Sequence, residues 1–149
     1  MIAIPNPGSI TVVLADGHAG MRRGLRRLLD AEVDVDVIAE ASELATAISL
    51  VHQCRPRVLV IDPSLSNGSS TAAIRALRQG TPSTEIVVLT MDESTVFAQQ
   101  AIAAGAIGFV LKQAADAELA QAVHNAGRGQ AYLSGYVTAR LAAHAGAAT

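Results

Sequence analysis

The chain has 149 residues, a length that fits one domain with one hydrophobic core. A formal net charge of −2 excludes a large nucleic-acid-binding surface, because such a surface needs a strongly basic domain. Half of the residues are hydrophobic but only 3% are aromatic, so the core must be built from Val, Leu, Ile and Ala. The lone Cys54 excludes an internal disulfide, and no apolar run has the ~18 residues of a membrane span. We therefore expect a cytoplasmic protein with no membrane contact.

Strand-length apolar runs alternate with helical periodicity five times, which predicts β-α units around a parallel sheet. The first strand, 11–15, is followed by a helix with an apolar stripe and an arginine-rich opposite face, which we interpret as a solvated surface. The second strand, 33–39, alternates acidic and apolar residues and therefore predicts an edge strand with one wet side. The stripe consists of Met21, Leu25, Leu28 and Leu29, and the opposite face of Arg22, Arg23, Arg26 and Arg27.

Strands three and four, 58–61 and 86–89, are apolar throughout, which predicts central strands covered on both sides. Capping and breaking residues give the bounds of the later helices. Helix two begins at the cap Ser42 and ends before Arg55-Pro56, helix three lies within 71–78, helix four spans about 95–104 and stops at Gly105, and helix five runs from Asp116 to Gly127.

Three regions are expected along the chain: an N-terminal tail at 1–9, the α/β domain at 10–128, and a C-terminal region at 129–149. The tail has no basic segment and does not resemble a signal peptide. The C-terminal region predicts a turn at 131–134, a short helix from about Tyr136 to Ala143, and disorder in 145–149. We expect Tyr132 and Leu133 to anchor this helix against helix five or a neighbouring subunit.

One polar residue follows each of four apolar strands: Asp16, Asp62, Thr90 and Lys112. Ligands of open parallel sheets bind at the carboxyl ends of the strands, so these four side chains are expected to converge on one anion or metal. Lys112 is the only lysine in the chain, and the ten other basic residues are arginines. An alternative interpretation makes the two aspartates turn caps, Thr90 a strand residue and Lys112 a solvent-facing cation, but it leaves their shared position unexplained.

The chemistry of these residue types suits phosphoryl transfer. Asp62, preceded by four apolar residues, is the natural nucleophile or metal ligand, and Asp16 beside it can share Mg²⁺, which prefers oxygen ligands. Lys112 and Thr90 suit phosphoryl oxygens as a point charge and a hydroxyl donor. His18 is a weaker second candidate for the metal, and His52, His124 and His144 show no spacing typical of zinc.

Several blocks, in order along about 10–141, resemble the receiver domains of bacterial two-component response regulators, CheY-like domains of the LuxR/NarL type. The blocks are VLADGH at 13–18 with MRRGL at 21–25, RVLVID at 57–62, VLTM at 88–91, AGAIGFVLK at 104–112 and GQAYLS at 129–134. The resemblance implies a flavodoxin-like, doubly wound sheet of five parallel strands in the order 2-1-3-4-5, here with a short extra C-terminal helix.

The resemblance also implies residue roles. Asp62 is similar to the phosphoacceptor, Thr90 to the hydroxyl that reports phosphorylation and Lys112 to the lysine that contacts the phosphoryl oxygens. Phe109 matches the switch aromatic, and Ser64 matches the residue whose backbone carbonyl reaches the metal. Mg²⁺ is the implied cofactor, and the domain accepts a phosphoryl group in signalling without turning over substrates as an enzyme.

Two departures from the family pattern stand out. The acidic pair that ends strand one in the family is Asp16-Gly17 here, so the carboxylate that would bind Mg²⁺ directly is absent and weak or absent metal binding is expected. The loop after Asp62 is LSNGSS at 65–70, where the family commonly has a Pro-Gly turn.

The first functional hypothesis is a receiver domain of a LuxR-type transcriptional regulator, phosphorylated by a sensor histidine kinase, homodimeric, and acting on DNA only through an output domain outside this chain. The second keeps the fold without the phosphorylation: a pseudo-receiver that binds proteins or a small ligand, because Gly17 replaces a metal-binding acid. The third, a flavin-binding protein, is disfavoured because aromatic residues for stacking are nearly absent.

Overall fold

The computed structural model describes residues 8–147, and the side chains of 8–143, as a parallel six-stranded sheet between two layers of helices. The strands are β1 Ile10–Ala15, β2 Val35–Ala41, β3 Val58–Ile61, β4 Glu85–Thr90, β5 Gly108–Leu111 and β6 Tyr132–Leu133, in the order β2-β1-β3-β4-β5-β6. The helices are α1 Ala19–Asp30, α2 Leu44–Cys54, α3 Ser70–Gly80, α4 Thr95–Ala104, α5 Ala115–Gly127 and α6 Gly135–Ala147, with 3₁₀ turns at Pro63–Leu65 and Lys112–Ala114.

The core lies on both faces of the sheet, because successive strand residues point to opposite sides. In β3, Leu59 and Ile61 pack toward α2, α3 and α4, whereas Val58 and Val60 pack toward α1 and α5. All four are buried, as expected for a central strand. Alanines fill much of the helix side of both layers, which lets the helices approach the sheet closely and explains how so few aromatic residues suffice.

The edge position of β2 is confirmed, but its bounds and its wet side are not as expected. The strand begins at Val35, two residues later than predicted, and a register shift opposite Val12 and Val13 leaves Ile38 without a direct partner. Because of the shift, the side chains of Ile38 and Ala39 both lie in the part of the core that α2 covers. Both faces of β2 are therefore covered, and within the strand only Asp36 and Glu40 are half-exposed.

Helix bounds follow the capping residues with two corrections. Helix α4 has the predicted bounds, Ser94 Oγ accepts the Phe97 N–H, and Gly105 ends the helix at φ 122°. Helix α3 is longer than predicted at both ends, because Ser69 caps it by accepting the Ala72 N–H. Helix α2 starts after Glu43 with no side-chain cap, so Ser42 is not its cap.

The C-terminal region contains a sixth strand where a turn was expected. The Tyr132 N–H donates to the Ile107 carbonyl at 3.1 Å and the Ser134 N–H to the Phe109 carbonyl at 2.8 Å, so the segment pairs with the free edge of β5. Tyr132 packs with α5 residues, whereas Leu133 faces the α4 side.

Helix α6 is longer than expected and reaches Ala147. Its Val137 side chain is fully buried in the same cluster as α4 alanines, which docks the helix on the domain. The expected disorder of 145–149 is therefore not found through Ala147, and the expectations for 148–149 and for the tail at 1–7 lie outside the described residues. Among the described helices none is long and apolar enough to cross a membrane.

The substitution Gly105→Ala tests the turn between α4 and β5. An added Cβ would lie 2.6 Å from Arg78 Cγ, and φ is positive, so we expect the free energy of unfolding to fall by about 2 kcal/mol. The matched control is Gly24→Ala in the interior of α1, where no atom lies within 4 Å and stability should rise by ~0.5–1 kcal/mol. Urea denaturation measures both, and equal effects of the two substitutions would contradict the assignment.

Candidate functional site

The four polar residues at the strand ends are buried at one edge of the sheet. Asp16 follows β1, Asp62 follows β3, Thr90 ends β4 and Lys112 follows β5, with exposed fractions of 0%, 5%, 6% and 9%. Lys112 Nζ lies 2.6 Å from Asp62 Oδ2 and 2.7 Å from Asp16 Oδ2. One ammonium thus joins the two carboxylates, and Lys112 does not extend into solvent as the alternative interpretation required.

Each carboxylate also caps the turn that follows it. Asp62 Oδ1 accepts the Ser64 N–H at 2.9 Å, and Asp16 Oδ1 accepts the His18 N–H at 2.8 Å. The capping role is therefore real, but it uses one oxygen of each carboxylate and leaves the other to face Lys112. This division fixes the orientation of both carboxylates.

Hydrogen bonds and ion pairs in the pocket offset the energetic cost of burying its charged groups. Burial acts to raise the pKa of Asp62, but hydrogen bonds from Lys112 and Ser64 outweigh it, so the pKa lies below its ordinary value of 3.8. Burial acts to lower the pKa of Lys112, and Asp16 and Asp62 together raise it above 10.5. These ion pairs contribute their full stabilisation of the fold between pH 3.8 and pH 10.5. The contribution is lost as the pH falls through the lowered pKa of Asp62 or rises through the raised pKa of Lys112.

Thr90 and Phe109 lie next to the charged cluster on the two following strands. Thr90 Oγ1 accepts the Asp92 N–H at 3.1 Å and so fixes the loop between β4 and α4. Phe109 is fully buried and packs edge to face on Phe97 of α4, with ring centroids 5.8 Å apart. The aromatic residue therefore connects β5, which leads to Lys112, with α4.

The oxygen ligands for a divalent cation are few. Asp16 and Asp62 offer carboxylates, and Asp16 Oδ2 accepts no hydrogen bond of good geometry from the described residues, although Lys112 lies beside it. Gly17 offers no side chain, and a Cβ placed there would lie 3.3 Å from Leu65 Cδ2. The residues present fit Mg²⁺ only in part, since a leucine methyl approaches the position of the missing acid and the lysine competes for both carboxylates.

Two arginines of α1 contact the carboxyl-end regions of β1 and β2, a role that the sequence did not indicate. Arg22 Nη1 donates to the Asp16 carbonyl at 2.7 Å, and Arg22 and Arg26 both contact the Glu40 carboxylate. The i, i+4 spacing placed these two side chains on one helix face, but the partner in β2 could not be inferred from spacing. Arg23 and Arg27 are exposed, as expected for a solvated face.

His124 belongs to a cluster that the sequence spacing did not reveal. Its Nε2 lies 2.8 Å from Asp34 Oδ1 and 3.8 Å from Glu32 Oε1, and the three side chains offer ligand atoms within 4.8 Å of one another. The hydrogen bond from His124 is the main cause that lowers the pKa of the exposed Asp34. The cluster joins α5 to the segment before β2. His18, by contrast, is largely exposed; its backbone N–H donates to Asp16 Oδ1, and its Nδ1 lies 3.7 Å from the same oxygen.

Substitutions in the charged cluster should differ in cost. Lys112→Met leaves two buried carboxylates without a counter-ion and should lower the free energy of unfolding by about 3 kcal/mol at neutral pH. Asp62→Asn leaves Lys112 paired with Asp16 and should cost less than about 1 kcal/mol. Urea denaturation of the two variants and the natural sequence measures the difference, and an equal cost would contradict the bridging role of Lys112.

Comparison with known proteins identifies the family and the fold. The family model for the response regulator receiver domain matches residues 12–124. The DNA-binding transcriptional activator DevR/DosR of Mycobacterium tuberculosis is 37% identical over 134 residues, which cover 90% of this chain and 62% of the relative. The chain thus spans about three fifths of the length of this relative.

Solved structures agree with this result. A LuxR-family two-component response regulator from Aurantimonas sp. SI85-9A1 has 31% identity and a TM-score of 0.85, covering 91% of this chain and 97% of that one. The isolated receiver domain of RcsB from Salmonella enterica serovar Typhimurium with phosphomimetic BeF₃⁻ has 26% identity and a TM-score of 0.81, covering 87% and 96%. The flavodoxin-like fold is confirmed, with six strands where five were expected. The chain belongs to the response regulator receiver domain family, and its relatives are LuxR/NarL-type regulators of two-component systems.

Proposed function

We propose that Asp62 is the phosphoacceptor of this receiver domain and that a sensor histidine kinase supplies the phosphoryl group. The observation that carries the proposal is the bridge from Lys112 to Asp62 and Asp16 at the carboxyl ends of the strands. Of the two carboxylates Asp16 is fully buried, whereas Asp62 retains some exposure, so a donor reaches Asp62 first. A carboxylate oxygen of Asp62 forms the new O–P bond while the N–P bond of the donor phosphohistidine breaks.

Lys112 and Thr90 would stabilise the transferred group. The Lys112 ammonium already contacts Asp62, so a phosphoryl group on that carboxylate lies within reach of the same cation. Thr90 ends the neighbouring strand, and its hydroxyl donates to no described acceptor while it accepts the Asp92 N–H. A hydrogen bond from Thr90 to a phosphoryl oxygen would pull on the loop before α4, and Phe109 is the switch residue that responds.

Mg²⁺ would be held by Asp62, by Asp16 through water, and by the Ser64 backbone carbonyl. When bound, the ion neutralises phosphoryl oxygens beside the carboxylate. With Gly17 in place of an acid, we propose weak binding, because hard cations draw most of their affinity from direct carboxylates. Phosphorylation by small-molecule donors should therefore be slow. A partner kinase would position the phosphoryl group at Asp62, which a weakly bound metal ion does poorly.

Family membership favours this function over a phosphorylation-independent pseudo-receiver. Both hypotheses are compatible with Gly17 and with a structural role of the Lys112 bridge, so the preference rests on the family and on the four polar residues that meet at the strand ends. By analogy with its relatives, we propose that the protein acts as a cytoplasmic homodimer and regulates transcription through an output domain outside this chain.

Intact-mass measurement tests the phosphoacceptor. Incubation with a phosphorylated histidine kinase should add about 80 Da to the natural sequence, and acetyl phosphate with Mg²⁺ should add the same mass more slowly. Asp62→Asn should remain unmodified under both donors, because the amide is not a nucleophile at this site. Modification of the variant would place the phosphoryl group elsewhere, and an unmodified natural sequence with a panel of kinases would reject the proposal.

A Mg²⁺ titration tests the role of Gly17. Gly17→Asp should tighten Mg²⁺ binding by about tenfold, once Leu65 has shifted by a few tenths of an ångström to admit the Cβ. Gly17→Asn is the matched control, since it adds nearly the same volume without the charge and should give a much smaller gain. Tight binding by the natural sequence, or equal gains from both variants, would contradict the weak-metal proposal.

A further inference from the structure

A second group of metal-ligating side chains lies at the amino ends of the strands, at the opposite edge of the sheet from the charged pocket. Glu32 and Asp34 belong to the turn between α1 and β2, and His124 belongs to the last turn of α5. His124 Nε2 lies 2.8 Å from Asp34 Oδ1 and 3.8 Å from Glu32 Oε1. The fold thus brings one imidazole nitrogen together with two carboxylate oxygens, and all three atoms lie within 4.8 Å of one another.

The backbone of each of these residues is fixed independently of its side chain. The Glu32 N–H donates to the Leu29 carbonyl at 3.0 Å, which continues the end of α1. The Asp34 carbonyl accepts the Ile10 N–H at 2.8 Å, which ties the turn to β1. His124 belongs to a regular helix, and its side chain is only 19% exposed. The three side chains therefore start from ordered backbone, and a ligand that joins them costs little conformational entropy.

The separations are close to those that a first-row transition ion requires. Zn²⁺ bound by nitrogen and oxygen at about 2.0–2.2 Å places the ligand atoms of a tetrahedron roughly 3.4 Å apart. The separation between Asp34 and His124 is shorter because a hydrogen bond joins the two atoms, and that between Glu32 and His124 is slightly longer. Changes of at most about 1.5 Å convert the cluster into three corners of a tetrahedron, with water at the fourth. Both carboxylates are partly exposed, so they can rotate and admit the ion.

The imidazole distinguishes this cluster from an ordinary group of surface acids. Nε2 of a neutral histidine is a ligand that suits Zn²⁺, Co²⁺ or Ni²⁺, whereas Mg²⁺ and Ca²⁺ prefer oxygen alone. Glu32 and Asp34 add two negative charges at neutral pH. When the ion binds, the proton of the hydrogen bond between His124 and Asp34 leaves Nε2 for Nδ1 or for solvent, and the lone pair of Nε2 forms the bond to the metal.

We propose that Glu32, Asp34 and His124 form a binding site for a divalent transition ion of the Zn²⁺ class, separate from the charged pocket. The bound ion would link the turn before β2 to the end of α5. Because the three ligands come together only in the folded chain, the ion would stabilise the fold. The site uses none of the residues around Asp62, so it binds its metal whether or not the domain is phosphorylated.

Calorimetric titration of the natural chain with Zn²⁺, in the presence of excess Mg²⁺, tests the site. One ion should bind per chain, and His124→Gln should weaken binding by at least about tenfold, because it removes the only nitrogen ligand. The matched control is His52→Gln, which removes an exposed imidazole outside the cluster and should leave the affinity unchanged. His18→Gln locates the ion: loss of binding in this variant would place the metal beside Asp16 and overturn the proposal.

A second variant separates metal binding from stability, because His124→Gln also removes the hydrogen bond to Asp34. Glu32→Gln keeps that hydrogen bond and removes only a carboxylate 3.8 Å from the imidazole, so the apo domain should unfold at nearly the natural temperature. Its affinity for Zn²⁺ should nevertheless fall by about tenfold. Saturating Zn²⁺ should raise the Tm of the natural chain by about 5 °C and leave that of His124→Gln unchanged. Absence of binding at millimolar Zn²⁺, or full affinity in both variants, would overturn the site.

Discussion

The bridge from one ammonium to two buried carboxylates is the interaction on which the functional end of the molecule depends. Asp16 and Asp62 follow neighbouring strands, so the parallel sheet brings two negative charges together at buried positions. Lys112 comes from β5, on the far side of β4, and its long stem carries the charge to both of them. The sheet order, the position of Lys112 after β5 and the shape of the turns after β1 and β3 are all consistent with this one electrostatic requirement.

The replacement of an acid by Gly17 changes the balance of charge in this pocket. Two carboxylates and one ammonium leave a net charge of −1, whereas a third carboxylate would leave −2 and would need a divalent cation to be stable. The pocket of this chain is therefore better balanced without metal, and Leu65 covers part of the position that the acid would occupy. The proposed weak binding of Mg²⁺ follows from this charge balance and from the leucine methyl beside Gly17.

Most features set by local sequence were predicted, apart from the starts of α2 and α3, whereas features set by distant pairing were not. The bounds of α4, the stop at Gly105 and the four strand ends each depend on a few adjacent residues, and the structure has them as expected. Strand β6 forms only because β5 offers a free edge, which no property of 131–134 indicates. The contacts of Arg22 with Glu40 and of His124 with Asp34 join residues far apart in sequence, and their residue types alone favoured solvent exposure.

Strand β5 connects the charged pocket with the C-terminal segment. One end leads to Lys112, whose position is fixed by two carboxylates, and the side of the strand holds β6 through backbone hydrogen bonds around Phe109. Only four residues, Gly108–Leu111, separate these two functions of the strand. The C-terminal segment and the lysine of the pocket therefore rest on the same strand, and the edge segment β6, two residues long and paired on one side, is attached to the sheet through β5 alone.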